Sequence, residues 1–276
     1  MVWISFDVFR SLGFADTLQV KPEQVFQYKA EISKAQWVLF PPYWQLNALQ
    51  YGLKARIFPS EASYRLGHNK VEMTRAFELV APHNTPDTWI LANTPSNAER
   101  LWQDMITPFV AKLPKASQGD GVWLIDSRQE WLDYVALGDT LYVQEYLPID
   151  RDIRIIVIGD KVLAAYWRQQ AARGFYNNVA KGGLADHSPV PQAAIALALE
   201  LAQSLDVNHA GFDIAMVGDR PFVLEFNRLF GNQGISGGDA SIRDAIFDYL
   251  QREGAPATPN FPSGPEKTRR RLRRVA

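Results

Sequence analysis

Two carboxylates and an amide lie close together near the end of the chain and could bind a metal ion. Asp213 lies in GFDIAMVGD, and Glu225 and Asn227 lie in PFVLEFNRLFGNQG. Between them, Gly218-Asp219 separates two apolar runs, which is a signal for a β-hairpin. With the turn centred on Asp219, Asp213 lies opposite Glu225. The two-residue period of a strand keeps Asn227 on the face of Glu225, so three oxygen donors converge.

Two acids that face each other across a hairpin need a compensating charge. Like charges directly opposite on a sheet destabilise it by up to about 1 kcal/mol. A divalent cation removes that repulsion, and carboxylate and amide oxygens without His or Cys suit magnesium or manganese. A solvated hairpin whose acids face water is the alternative that this segment alone leaves open.

Composition limits the classes of protein to which the chain can belong. With 276 residues, 47% of them apolar, it can form one compact enzyme-sized body or two to three small domains. The chain has no cysteine, which excludes disulfides, thiolate metal sites and a thiol nucleophile. Its four histidines lack the close spacing of a zinc helix. The sequence shows neither a secretion signal nor a long apolar span, so we expect a cytoplasmic protein without membrane contact.

The last residues carry an excess of positive charge. Residues 266–276 contain six basic residues and one acid, whereas the whole chain has a net charge of -1. Such a tail could dock on RNA, acidic protein or another polyanionic partner. A solvated, disordered chain end is the alternative. The oligomeric state stays open, an oligomer included.

The order of elements predicts an α/β (α+β) chain in several units. Strand-like and helix-like segments alternate up to about residue 139, and consecutive strands follow, which favours an antiparallel sheet with helices on one face. Breaks in composition divide the chain into residues 1–68, 69–139, 140–254 and a Pro-rich linker with the basic tail, 255–276, which we expect to be disordered.

Two further segments have residue types that suit phosphate binding. FVAKLPKASQGDGVWLID places Lys112 on a strand before a loop with Gly119 and Gly121, although neither a Walker loop nor a Rossmann fingerprint is present. A plain β-hairpin is the alternative. In AAYWRQQAARGFYNNVAKGGLA, Arg168 closes an apolar strand and could grip a phosphate or carboxylate, unless the segment is an ordinary exposed loop.

A third segment, LYVQEYLPIDRDIR, places an acid and a base on one strand face. Asp152 and Arg154 lie two residues apart and therefore on the same side of the strand. Such a pair is usually a surface ion pair worth less than about 1 kcal/mol. It gains a functional meaning only beside a bound nucleotide.

Read in order, these segments resemble the ATP-grasp fold and, within it, the RimK-type glutamate ligases. The resemblance covers about residues 69–236 and includes NKVEMTRAF, FVAKLPKASQGDGV, VQEYL, RDIRIIVIGDKVLAA, GFYNNVAKGGLA, AGFDIAM and LEFN. It implies a small N-terminal pre-ATP-grasp domain, a lid subdomain and a C-terminal subdomain with a metal site, in the three units given above. The last two would sandwich ATP.

The resemblance also implies a role for each polar residue of these motifs. Those that would contact ATP are Lys70, Lys112, Gly119, Gly121, Glu145, Tyr146, Asp152, Tyr176, Asn177 and Asn178. The two lysines would bind the phosphates, and the two glycines would form the loop that closes over them. The Glu-Tyr pair would meet the adenine, the aspartate would bind the ribose, and the last three residues would flank the nucleotide. Arg154 and Arg168 would act near the transferred phosphoryl group. Asp213, Glu225 and Asn227 would bind two magnesium ions.

The implied reaction is ATP-dependent amide formation between a carboxylate and an amine. A substrate carboxylate attacks the γ-phosphate, and an amine captures the acyl phosphate, so no protein nucleophile is needed. The substrates would be small molecules, peptides or a protein terminus. The alternatives are a catalytically silent ATP-binding switch that engages a partner through its tail, and a kinase that stops at a phosphorylated product.

The segment after Asn227 departs from the RimK-type pattern. That pattern has a small residue there, followed by Ser-Pro-Gly and a Glu-Gly turn, whereas this chain reads RLFGNQGIS. Arg228 and Phe230 therefore stand at small or proline positions, and Gln169 follows Arg168 where a second arginine is usual. Because substrates would sit beside these residues, the identity of the added group stays open.

Overall fold

The computed structural model describes residues 2–114, 121–169 and 184–254. The N-terminal unit is a parallel sheet flanked by short helices. Its elements are β1 (Trp3–Ser5), β2 (Thr17–Gln19), α1 (Lys29–Lys34), β3 (Val38–Leu39), β4 (Ile57–Phe58) and α2 (Glu61–Leu66). The strand order is β2-β1-β3-β4. Since all pairs are parallel, the segments that follow β1, β3 and β4 leave the sheet at the same edge.

The middle unit is an antiparallel sheet that follows one long helix. Its elements are α3 (Lys70–Val80), β5 (Thr88–Ala92), α4 (Pro95–Asp104), β6 (Phe109–Lys112), β7 (Val122–Ile125), α5 (Arg128–Val135) and β8 (Thr140–Glu145). The strand order is β5-β8-β6-β7. Helices α4 and α5 cover the sheet through a core that includes Leu101, Phe109 and Trp131, all buried.

The C-terminal unit is a five-stranded antiparallel sheet. Its elements are β9 (Arg151–Ile158), β10 (Lys161–Gln169), β11 (Leu184–Asp186), α6 (Gln192–Ser204), β12 (His209–Val217), β13 (Arg220–Asn227) and α7 (Gly238–Glu253). The strand order is β11-β10-β9-β12-β13. The predicted antiparallel sheet is confirmed.

Helices cover both faces of this sheet, so the prediction of helices on one face only is wrong. On β9, Ile153 and Ile155 belong to the core shared with α6 and α3. Ile156 and Ile158 point to the other side, into the core shared with α7 and the N-terminal sheet. Side chains alternate along β9, so Asp152 and Arg154 lie on the α7 face together with Ile156 and Ile158.

Two elements join units that the sequence separates. Strand β8 begins at residue 140 but pairs with β5 and β6 of the middle sheet. Helix α3 lies in the predicted lid segment, yet Met73 and Phe77 pack into the core of the C-terminal sheet. The predicted domain boundaries themselves stay a prediction. Among the described residues, no helix is both long and apolar enough to cross a membrane.

Candidate active site

The hairpin of β12 and β13 brings Asp213 opposite Glu225, as the sequence predicts. The turn is centred between Gly218 and Asp219, because Val217 pairs with Arg220. Gly218 has a φ of +59°, which suits a tight hairpin turn and which glycine tolerates. The pairing predicted from a turn centred on Asp219 is nevertheless correct.

A β-bulge accounts for that agreement. The register shifts by one residue between Asp213 and Ile214, since Ile214 pairs with Val223 while Asp213 pairs with Glu225. Leu224 is thus the extra residue of β13, and it re-aims the strand at the point where the acids meet. Beyond the bulge, Asn227 donates a hydrogen bond from Nδ2 to Oε1 of Glu225 at 3.1 Å.

Two arginines neutralise the acids on the α7 face of the sheet. Arg154 Nε lies 2.7 Å from Asp213 Oδ1, and its Nη2 donates to Oδ2 at 3.2 Å. Arg168 reaches the same carboxylate, with Nη2 3.0 Å from Oδ2. It also donates two hydrogen bonds of 2.7 Å to the carboxylate of Asp152. These four side chains form one buried charge network, so the interpretation as a surface ion pair is wrong.

Two lysines approach the same acids from the middle unit. Lys70 Nζ lies 3.4 Å from Glu225 Oε2. Asn69 caps α3 by accepting the N-H of Val71 at 2.9 Å, which fixes Lys70 in the first turn of the helix. Lys112, at the end of β6, is buried and donates to Oε1 of Gln144 at 2.6 Å. Both lysines predicted to contact phosphates therefore lie near the predicted metal ligands.

The electrostatic balance of the site follows from burial and from these charges. Burial raises the pKa of Asp213 to about 6, against the opposing charges of Arg154 and Arg168. Burial also lowers the pKa of Lys112 to about 8. For Glu225, burial alone would raise the pKa, but the charges of Lys70 and Lys112 hold it below its usual range. Burial therefore sets the direction of the pKa shift for Asp213 and Lys112, and the neighbouring lysines set it for Glu225.

The residues present fit a magnesium ion. Asp213 Oδ1 is buried and lies 2.7 Å from Arg154 Nε without the geometry of a hydrogen bond, so a bound cation could replace that contact. Glu225 and Asn227 add a carboxylate and an amide on the same face. Across the described ranges no group of three His, Cys, Asp or Glu side chains could hold a metal ion. Magnesium commonly takes one or two carboxylates and completes its shell with water and phosphate oxygens, which matches this set.

The remaining predicted residues lie at the edge of the site or outside the described residues. Glu145 exchanges hydrogen bonds with Asp87: its N-H donates to the carbonyl at 2.9 Å, and its Oε1 accepts the N-H at 2.8 Å. Tyr146 follows it directly after β8. Gly121, with a φ of +78°, directly precedes β7, and its carbonyl accepts a hydrogen bond from Leu113 N-H. The other predicted residues, Gly119, Tyr176, Asn177 and Asn178, lie outside the described ranges.

Two residues of the site are absent from the sequence predictions. Gln144 accepts from Lys112 and donates to Thr88 Oγ1 at 2.8 Å, so it orients the buried ammonium group. Gly211 makes room for Arg154, because a Cβ there would lie 2.7 Å from Arg154 Nη1. Only the short spacing of Gly211 to Asp213 on one strand face could have indicated its role.

Cations that face carboxylate and amide oxygens, where two antiparallel sheets meet, could bind an anion such as a nucleoside triphosphate. Residues 71–248 match the model of the RimK-like ATP-grasp domain. The chain belongs to the RimK-like ATP-grasp family, and the family and fold predicted from its motifs are confirmed.

Relatives and solved structures agree with this assignment. The chain is 32% identical to a probable alpha-L-glutamate ligase of Citrobacter koseri over 76% of its own length and 74% of that protein. It is 33% identical to the probable alpha-L-glutamate ligase 2 of a Shewanella species over 60% of its length, but it spans only 58% of that relative. The fold is similar to the D-alanine--D-alanine ligase of Bacillus anthracis complexed with ATP, with a TM-score of 0.65, 14% identity and coverage of 92% and 98% of the two chains.

Proposed function

We propose that the protein is an ATP- and magnesium-dependent carboxylate-amine ligase. The observation that carries the proposal is the arrangement of Lys70, Lys112, Arg154 and Arg168 around Asp213 and Glu225. These cations neutralise the acids. When ATP binds with its metal, the acids can turn to the metal and the cations to the phosphates. Such an exchange of partners keeps every buried charge compensated.

The proposed reaction proceeds in two steps. The substrate carboxylate attacks the γ-phosphorus, the bond to the β,γ-bridging oxygen breaks, and ADP leaves with an acyl phosphate in the site. An amine then attacks the acyl carbon, a C-N bond forms, and phosphate leaves as the nitrogen loses a proton. Arg154 and Arg168 stabilise the charge on the transferred phosphoryl group, since both contact Asp213, a proposed metal ligand. Bound magnesium, at Asp213, Glu225 and Asn227, would supply further charge stabilisation.

The nucleotide contacts belong to the same proposal. Lys70 and Lys112 bind the phosphates, and the loop with Gly119 and Gly121 closes over them, while Glu145 and Tyr146 meet the adenine. Asp152 is assigned to the ribose by family resemblance. Its two oxygens accept the hydrogen bonds of Arg168, which supports an additional role in positioning that arginine. The flanking residues Tyr176, Asn177 and Asn178 complete the set.

The substrate and partner remain broader than in the named relatives. We propose an amino acid as the amine and a peptide, protein terminus or small molecule as the carboxylate. For the basic tail, residues 266–276, we propose a polyanionic partner such as RNA, because its charge opposes that of the rest of the chain.

Mass spectrometry of reaction products tests the proposed function. The wild-type protein is incubated with ATP, magnesium, pooled amino acids and pooled peptides, and we expect products heavier by one or more amino-acid residues. We expect Asp213→Ala and Lys112→Ala to reduce product formation by about 100-fold or more, as loss of a preorganised charge at a reacting centre does. Asp219→Ala, in the exposed turn of the same hairpin, is the control.

The alternatives give different outcomes. A kinase would leave a phosphorylated product, and hydroxylamine would trap no acyl phosphate. Nucleotide binding without any product in either assay would indicate a switch protein. Full activity of Asp213→Ala would contradict the assignment of the site.

A further inference from the structure

Arg228 is adjacent in the chain to a proposed metal ligand and has no role in the proposed reaction. It directly follows Asn227 at the end of β13. Its guanidinium carbon lies 4.2 Å from the centre of the Tyr64 ring, which belongs to α2 of the N-terminal unit. The side chain therefore crosses from the reactive hairpin to the edge of the parallel sheet.

The charge of Arg228 is not neutralised within the described part of the chain. No carboxylate lies within 4.0 Å of its guanidinium there, whereas Arg154 and Arg168 both have one. Burial lowers the pKa of Arg228, the Tyr64 side chain opposes that effect, and the charge of Arg10 adds to it. Arg10 itself is paired with Asp7. A half-buried guanidinium in this position is poised for an anionic ligand.

The surrounding side chains hold Arg228 in a fixed position. Its carbonyl accepts a hydrogen bond from Nδ1 of His209 at 2.9 Å. Burial lowers the pKa of His209 to about 3, so the ring is neutral and adds no positive charge. The same ring stacks on Phe230, with 4.7 Å between ring centres. Tyr64, below the guanidinium, donates from its hydroxyl to the carbonyl of Pro41 at 2.7 Å.

We propose that Arg228 binds the free α-carboxylate of the amino acid that serves as the amine substrate, an inference that rests on the proposed function. The phosphates of ATP are already assigned four other cations, which face Asp213 and Glu225. The carboxylate that becomes an acyl phosphate loses its own negative charge when its oxygen bonds to phosphorus. An α-carboxylate that stays ionised throughout the reaction needs a cation of its own, and a guanidinium can bind it through two hydrogen bonds. Arg228, which replaces the small residue of the RimK-type pattern, thus selects amine substrates with a free α-carboxylate.

Matched pairs of amines test the proposal. The wild-type protein receives ATP, magnesium, a peptide pool and either pooled amino acids or the corresponding α-amides, which differ only in the carboxylate. We expect kcat/KM for the amino acids to exceed that for the amides by about 10- to 100-fold, the value of a hydrogen bond to a charged group. Arg228→Ala should remove this preference through a rise in KM. Arg228→Lys, which keeps the charge without the fork, should retain part of it.

Controls separate this proposal from the proposed function. Arg220→Ala changes an exposed arginine of the same strand and should keep the full preference. Unchanged binding of ATP to Arg228→Ala, measured by titration calorimetry, shows that its fold is intact; if that variant is unstable, Arg228→Gln replaces it. Equal use of amino acids and amides by the wild type, or an unchanged preference in the variants, overturns the proposal and leaves the ligase standing. No amide product from either pool overturns both.

Discussion

Arg168 shows how the site balances charge at the level of single residues. It donates two hydrogen bonds to Asp152 and contacts Asp213, although all three side chains are buried. A buried acid without a partner would be strongly destabilising, and so would a buried arginine. The network therefore compensates each buried charge, and it holds in place the groups that we assign to phosphate and metal binding.

The partners in this network depend on strand register, which the sequence alone does not reveal. The short spacing of Asp152 and Arg154 along β9 favours their pairing with each other. In the fold, Asp152 faces Arg168 on β10, and Arg154 faces Asp213 on β12. The hairpin pair Asp213 and Glu225 could be predicted, because only a turn separates its strands. The arginine pairs could not, because they require the strand order of the whole sheet.

Gly211 offers a test of how Arg154 is positioned. In Gly211→Ala, the new methyl group would lie 2.7 Å from Arg154 Nη1, so the guanidinium must shift from its position against Asp213. Ile156 Cδ1, at 3.1 Å, must also give way, but Asp213 keeps its contact with Arg168, so we expect a moderate loss of stability. We expect kcat of the proposed reaction to fall by about 10- to 100-fold with little change in the KM for ATP, as misplacement of a catalytic group does.

Comparison with two other variants shows whether that loss acts through Arg154. Gly52→Ala is the matched control, since no atom lies within 4 Å of its Cβ position. It should leave kcat unchanged. Adding Gly211→Ala to an Arg154→Ala protein should cause no further loss of kcat, because the two changes affect the same contact. Additive losses would contradict the positioning role.

At the level of elements, α7 joins the N-terminal sheet to the C-terminal sheet. Its apolar residues Ile246 and Leu250 are fully buried against both. Near its last turn, Trp37 donates from Nε1 to the carbonyl of Leu250 at 3.2 Å. Arg56 stacks on the same indole, 3.8 Å from the ring centre, and its Nη1 donates to the carbonyl of Gly254. The end of the helix is thus held by a cation from another unit, as its dipole favours.

We expect Arg56→Ala to lower the free energy of unfolding by about 1 to 2 kcal/mol, from the lost cation-π contact and the lost interaction with the helix end. Urea unfolding followed by circular dichroism measures the change. Arg252→Ala is the control, since its pair with Asp160 is exposed and such pairs contribute little. Equal losses in the two variants would show that the end of α7 is not held by Arg56.

The sequence predicts the C-terminal elements better than the N-terminal ones for a physical reason. β12 and β13 have 9 and 8 residues, enough for alternation and a turn to be recognised. β3 and β4 have 2 residues each, which is too short for any period. Their parallel pairing also needs crossovers, which local patterns do not reveal. For this reason Tyr64 and Arg10, which lie near Arg228, could not be assigned to the site from sequence.

At the scale of the whole molecule, the proposed function draws on all three units. The middle unit supplies Lys70 and Lys112, and the C-terminal sheet supplies the acids and arginines. The N-terminal unit adds Tyr64 beneath Arg228. Motifs on the middle and C-terminal units predict the nucleotide site from sequence. The contact that the N-terminal unit adds is visible only in the fold. If Arg228 selects the substrate as proposed, that selection depends on the unit whose sequence is least informative.

The last prediction concerns the separation of charge along the chain. Residues 266–276 carry six basic residues, whereas the groups assigned to the site lie between residues 70 and 228. Truncation after Gly264 should abolish binding of a mixed-sequence single-stranded RNA and leave ligation of small substrates unchanged. Binding by the full chain should weaken with salt at a log-log slope no steeper than about -4, because each phosphate contact on a single strand contributes about -0.7. A full-length variant with the six basic residues replaced by glutamine is the matched control and should behave like the truncated protein. RNA binding that is insensitive to salt, or that survives truncation, would contradict the proposed role of the tail.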